Sequence, residues 1–126
     1  MKHIKNLLAL FIFIFSFQGC AQNNPSESVS VDALKEKIKN NDSSMIILDV
    51  RTDAELTGPL PKIEGAIHIP VQEIAERVDE LEKYKEKELI VVCRTQNRSS
   101  RASEFLRSKG YNAKYVNGGM VEFMKK

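Results

Sequence analysis

Leu89-Ile90-Val91-Val92-Cys93-Arg94-Thr95-Gln96-Asn97-Arg98-Ser99 is the stretch on which the fold turns. It opens on a continuous apolar run, too short for a helix and rich in β-branched residues, the pattern of a strand buried on both faces of a parallel sheet. The run ends in a cysteine and gives way at once to polar residues. From Ser99 to Lys109 the period changes: Ala102, Phe105 and Leu106 recur at helical spacing before Gly110 supplies a stop. The predicted unit is a strand, a short polar loop and a helix beginning near Ser99.

The alternation continues on both sides. Met45 to Val50 is a second short apolar run, and Ala66 to Ile69 and Lys114 to Val116 are weaker strand candidates. Val71 to Tyr84 sets Ile74, Val78 and Leu81 along one predicted helical stripe. Upstream, Ser30 caps a predicted helix carrying Val31, Leu34 and Ile38 on one face and ending near Asn40 and Asn41. Strands alternating with helices imply a doubly wound α/β sheet, whose ligand sites lie beyond the carboxyl ends of the strands. Cys93 stands at such an end. With 126 residues and an ordinary globular composition there is room for one domain, and no internal repeat is present.

A strand–loop–helix of this kind favours negative charge at the loop. Successive backbone N–H groups and the unsatisfied donors of the helix N-terminus converge on one concavity, and Arg94 and Arg98 add permanent positive charge. A thiolate at Cys93, the nucleophilic form of cysteine, is stabilised by that field, and an incoming oxyanion is attracted by it. The bland alternative is an inert cysteine at a strand end. Arg101 and Arg107 read as ordinary surface charges. His68, in strand-like AIHIP, reads as a hydrogen-bonded structural residue, and Asp49 with Arg51 as a structural ion pair. A single mature-domain histidine and a distant cysteine form no metal-ligand set.

The N-terminus has its own pattern. Lys2 and Lys5 precede an apolar run from Leu7 to Phe17, as in a secretion signal, and the run is shorter than the roughly 20 residues that span a bilayer. Gly19 and Ala21 suit ordinary signal peptidase, whereas Phe17-Gln18-Gly19-Cys20 resembles a lipobox, and the lipobox is the reading adopted. Residues 1–19 are then a lipoprotein signal peptide, Cys20 is lipidated, residues 20–29 form a polar tether, and a domain over 30–126 is held at a membrane by acyl chains, facing the periplasm. Removing the first 19 residues takes away two lysines and no acids, leaving 17 basic against 17 acidic residues and nothing to suggest nucleic acid. Cys93 is then alone in an exported protein, where structural cysteines come in pairs, and a solitary thiol invites a chemical explanation.

CRTQNRS resembles the active-site pattern of the rhodanese family: cysteine, a short loop, then arginine and serine. Asp49-Val50-Arg51, Glu55 and Gly65-Ala66-Ile67-His68-Ile69-Pro70 resemble the family's upstream signature, and Asn117-Gly118-Gly119 resembles the segment after its last strand. The resemblance runs from about Ser30 to the C-terminus. It implies a five-stranded parallel sheet flanked by helices and transfer of a sulfane sulfur from a thiosulfate-like anion to a thiol or cyanide-like acceptor, without a cofactor. Cys93 would carry the persulfide, the backbone of Arg94, Thr95, Gln96, Asn97, Arg98 and Ser99 would cradle the outer sulfur, and Arg98 would orient the donor.

This chain departs from the pattern twice. Gln96 stands where many rhodaneses have glycine, which predicts a strained or reshaped turn. Thr57 to Glu64 inserts Pro59 and Pro61 and puts Lys62 where histidine is common, a loop suited to altering donor or partner choice. Two other readings compete. One is a rhodanese-like binding module without turnover. The other is a phosphatase or arsenate reductase, whose cysteine and arginine are spaced one residue wider than Cys93 and Arg98, and for which no second mature-domain cysteine is present to resolve an oxidised intermediate.

Overall fold

A computed structural model describes residues 27–126. The predicted signal peptide, Cys20 and the tether up to Ser26 lie outside the described residues. In chain order the elements are β1 (Ser28–Val29), α1 (Val31–Lys39), β2 (Met45–Asp49), α2 (Asp53–Leu56), β3 (Ile67–His68), α3 (Ile74–Arg77), β4 (Glu88–Val92), α4 (Asn97–Ser108), β5 (Asn112–Val116) and α5 (Gly119–Phe123). The five strands are all parallel, in the order β1-β5-β4-β2-β3.

The central strand is β4, which explains its composition. From Leu89 onward every residue is buried, and alternate side chains enter opposite layers. Ile90 and Val92 point into one core with Leu34, Ile47, Val116 and Met120. Leu89 and Val91 point into the other with Leu48, Ala102, Leu106 and Ala113, and Cys93 continues that second row. A sheet covered on both faces needs apolar residues at successive positions, so the run LIVV is a consequence of being central.

Several boundaries differ from those the sequence predicts. Ser28 and Val29, read as the end of the tether, belong to the sheet and pair with Tyr115 and Val116. Helix α4 starts at Asn97, two residues before the predicted start, so Arg98 and Ser99 sit in its first turn. The stretch from Val71 to Tyr84 is not one helix but a 3₁₀ turn, the short α3 and a 3₁₀ segment over Val78–Tyr84. Its apolar positions explain the tighter winding: Val78, Leu81 and Tyr84 recur every third residue, the repeat of a 3₁₀ helix. Helix α1 forms as predicted, with the Ser30 side chain accepting from the Ala33 N–H at 3.1 Å.

Chain direction places the site. From β4 the chain moves through α4 to β5 on one side, whereas β2 is followed on its other side by β3. The carboxyl ends of β2 and β4 therefore border the topological switch point, where open α/β sheets bind ligands. Arg51 follows β2 there, and Cys93 follows β4.

Candidate active site

Cys93 is 1% exposed, at the base of the turn between β4 and α4. Its Sγ lies 3.4 Å from the Ser99 N–H and 3.3 Å from Ser99 Oγ. As a thiol it donates to that hydroxyl, which donates in turn to the Gln96 carbonyl at 3.2 Å. As a thiolate it accepts from the Ser99 N–H. Ser100 N–H makes the first bond back along α4, to Gln96 O, so the Asn97 and Arg98 N–H groups precede the helical ladder.

The rest of the cradle is oriented from below. The carbonyls of Cys93 and Arg94 accept from Met120 N–H (2.9 Å) and Val121 N–H (3.0 Å) in the first turn of α5. Because a trans peptide holds its C=O and N–H antiparallel, tying these carbonyls to α5 turns the N–H groups of Arg94 and Thr95 away from it, into the loop. Gly119 makes this approach possible. A Cβ there would stand 1.8 Å from Thr95 O and 2.6 Å from Cys93 O, and its φ of +58° is in the left-handed region.

Gln96 does not strain the turn. Its φ is −148°, outside the left-handed region, so the conformation needs no glycine. Its side chain is used instead, with Oε1 accepting from Gly118 N–H at 3.0 Å and tying the loop to the turn before α5. Thr95, Gln96 and Asn97 are exposed at the rim, as is Arg94, which forms no ion pair among the described residues.

Arg98, expected to orient a donor, meets a carboxylate. Its Nη1 and Nη2 donate to Glu55 at 2.7 and 2.6 Å, a two-pronged clamp between α4 and α2. Glu55 also accepts from the Thr52 N–H while Thr52 Oγ1 accepts from the Glu55 N–H, a capping box that starts α2. The Arg98 guanidinium, with help from Thr52, holds the Glu55 carboxyl down at about 2, and Glu55 in return raises Arg98. The folded-state value lies below that of an unfolded glutamate, so the pair stabilises the fold above roughly pH 4.3, and that contribution is lost as pH falls toward 2. Glu55→Gln is therefore expected to be less stable than wild type at pH 7 and to approach it at pH 2.5, as followed by urea denaturation at both pH values. A gap that does not narrow in acid would contradict the assignment.

Asp49 and Arg51 form the anticipated ion pair, at 0% and 1% exposure. Arg51 Nη2 donates to Asp49 Oδ2 at 2.7 Å and its Nε to both oxygens, and Nη1 donates to the Leu60 carbonyl at 2.6 Å. The segment from Thr57 to Glu64 is thus pinned to the end of β2. Lys62 turns back onto the Ala66 carbonyl at 3.1 Å. His68 Nε2 donates to the Arg51 carbonyl at 2.7 Å, as a structural residue would. Arg107 bonds the Ala113 carbonyl at 3.0 Å on β5, remote from the loop. The sequence alone assigns no role to Glu55, Gly119 or the carbonyl of Leu60. The pattern Thr52-x-x-Glu55, a capping-box signature, was available to locate α2.

The family model of the rhodanese-like domain matches residues 30–126. The chain belongs to the rhodanese-like domain family. YtwF of Bacillus subtilis, a candidate sulfurtransferase by name, is 35% identical over 96 residues, covering 75% of this chain and 87% of that protein. A rhodanese-related protein from Thermoplasma volcanium is 35% identical with a TM-score of 0.67, covering 78% of this chain and 90% of its own. A rhodanese-like domain protein from Staphylococcus aureus is 30% identical with a TM-score of 0.70, covering 79% and 93%. These structures share the five-stranded parallel sheet and flanking helices of this rhodanese-like domain.

Proposed function

We propose that this rhodanese-like domain is a sulfurtransferase that carries a sulfane sulfur as a persulfide on Cys93. The observation that supports this reading best is the position of Sγ, buried at the base of the turn between β4 and α4 beside the Ser99 N–H, with the Cys93 and Arg94 carbonyls tied away to α5. A thiolate at Cys93 is itself the nucleophile and needs no general base. With thiosulfate, Cys93 Sγ bonds to the outer sulfur, the S–S bond breaks, and sulfite leaves with the bonding pair. The extra sulfur takes its charge into the inward-facing N–H groups. A thiol or cyanide acceptor then attacks that outer sulfur, the Cys93 S–S bond breaks, and the thiolate is regenerated. The sulfurtransferase name of YtwF supports the same reaction class.

Wild-type domain treated with thiosulfate is expected to gain one sulfur on Cys93 by intact mass, and to produce thiocyanate when cyanide is added. Cys93→Ala should do neither. Equal thiocyanate production by the two proteins would sink the reading.

The lipobox-like Phe17-Gln18-Gly19-Cys20 supports an exported domain anchored through Cys20 and facing the periplasm. Radiolabelled fatty acid should enter the wild-type protein and not Cys20→Ala. Label retained by the variant would contradict the anchor.

A further inference from the structure

The amino ends of the three central strands lie level with one another. Met45 of β2 pairs with Glu88 of β4, Glu88 pairs with Asn112 of β5, and the Glu88 N–H donates to the Ser44 carbonyl at 2.9 Å. The connections that lead into these strands are therefore gathered at one end of the sheet, opposite the end that carries Cys93. Residues 37–44, 85–88 and 107–114 hold seven basic residues and three acidic ones. The chain from Cys20 onward has 17 of each, so the positive excess at this end is matched by a negative excess over the rest.

Some of these basic groups are already engaged. Glu88 takes Lys114 at 3.0 Å and Lys37 at 3.4 Å, Lys85 meets Glu82, and Arg107 meets Glu27. Lys39, Lys87 and Lys109 form no ion pair among the described residues, and Lys39 and Lys109 are exposed. The point where the chain enters the sheet decides what this end meets. Strand β1 is parallel to β5 and Glu27 precedes it, with its carbonyl accepting from the Tyr115 N–H at 3.1 Å and its carboxylate 3.6 Å from Arg107. Glu27 therefore stands on the side of the amino ends. Seven residue steps separate it from Cys20, a span of at most about 25 Å at full extension.

We propose that the amino-end face of the sheet is a membrane-docking surface that binds anionic phospholipid headgroups through Lys39, Lys87 and Lys109, and that the Cys93 loop is thereby turned toward the aqueous side. The proposal takes its bilayer from the anchor at Cys20, as set out above. Anchor and lysines have separate tasks. Attraction to an anionic surface fades within a Debye length of about 10 Å, so it acts on charges that a short spacer brings close, and it then selects which end of the domain faces the lipid. The five residues of β4, at about 3.3 Å each, set Cys93 roughly 17 Å beyond that face. Donor and acceptor are then met in solution and not at the bilayer.

The test uses the chain from residue 20 with Cys20→Ala, which carries no acyl group, so that binding reports the face alone. Co-sedimentation is measured with vesicles of phosphatidylglycerol and phosphatidylethanolamine and with vesicles of phosphatidylcholine. Affinity for the anionic vesicles should be at least about tenfold higher, and should fall as NaCl is raised from about 25 to about 300 mM. Lys39→Gln/Lys87→Gln/Lys109→Gln should lose that excess. Lys35→Gln/Lys125→Gln/Lys126→Gln removes the same charge near α5, on the far side of the sheet, and should keep most of it. The sequence has no tryptophan, so single tryptophans report orientation: Ser43→Trp should be quenched by brominated lipid, and Met124→Trp on the far side should not. Equal binding to both kinds of vesicle, equal losses in the two triple variants, or equal quenching at the two positions would each overturn the docking face. Fatty-acid labelling of Cys20 judges the anchor separately, so a lysine face that fails leaves the anchor standing, and vesicle binding without acylation leaves the face and removes the anchor.

Discussion

Gly119→Ala is expected to cost at least about 3 kcal/mol of folding stability and to remove sulfur transfer with it. Two penalties act at once. The left-handed φ of +58° disfavours any residue with a Cβ, and that Cβ would lie 1.8 Å from one backbone carbonyl oxygen and 2.6 Å from another. Neither oxygen belongs to a flexible side chain that can swing away. Both are part of the turn that carries Cys93, so relief of the clash displaces the cradle itself. The control is Gly65→Ala, where φ is +79° and nothing lies within 4 Å of the added Cβ. It should show only the conformational penalty, about 1 kcal/mol. Urea denaturation of the two variants, with persulfide yield on Cys93 after thiosulfate treatment, checks the prediction. Equal losses in both variants would mean that the loop is not held rigidly against α5.

The contrast between these glycines shows where sequence reading stops. Asn117-Gly118-Gly119 stands out as a motif, but a motif does not say which of its glycines meets a backbone. That depends on the distance between the turn after β5 and the turn after β4, two segments far apart in the chain. Local patterns are more legible. The central strand, α1 with its Ser30 cap and the stop at Gly110 each depend on neighbours within a few residues, and each can be read from them. Strand β1 is invisible in the sequence because a two-residue strand has no period, and it exists only through pairing with β5.

At Gln96 the turn is reshaped and not strained. Glycine in related loops suggests a left-handed turn at this position, and hence strain in a chain with glutamine. The turn instead has negative φ, and the side chain meets Gly118 N–H. The loop is joined to the α5 turn through a side-chain amide there and through backbone bonds at Met120 and Val121. Glu55 belongs to the same class of long-range partner. Its capping role is written in Thr52-x-x-Glu55, whereas its clamp on Arg98 spans 43 residues and requires the sheet order to bring α2 beside α4.

Arg51→Met should destabilise the domain by about 3–5 kcal/mol, because it leaves the Asp49 carboxylate buried at 0% exposure without its cation. Asp49→Leu should cost a comparable amount by stranding the guanidinium. The double variant Asp49→Leu/Arg51→Met should be markedly more stable than the sum of the two, since an apolar pair of similar volume removes both buried charges together. Urea midpoints of the four proteins measure this coupling directly. Additive losses would show that the two side chains are held independently by the rest of the core. The recovery should not extend to the insertion, because a thioether has no proton to donate to the Leu60 carbonyl as Arg51 Nη1 does at 2.6 Å. The double variant is therefore expected to fold with a loosened segment over residues 57–64 and faster amide exchange there. Global stability and local order would then separate in a single protein, which distinguishes an arginine that only balances a buried charge from one that also fixes the segment after α2.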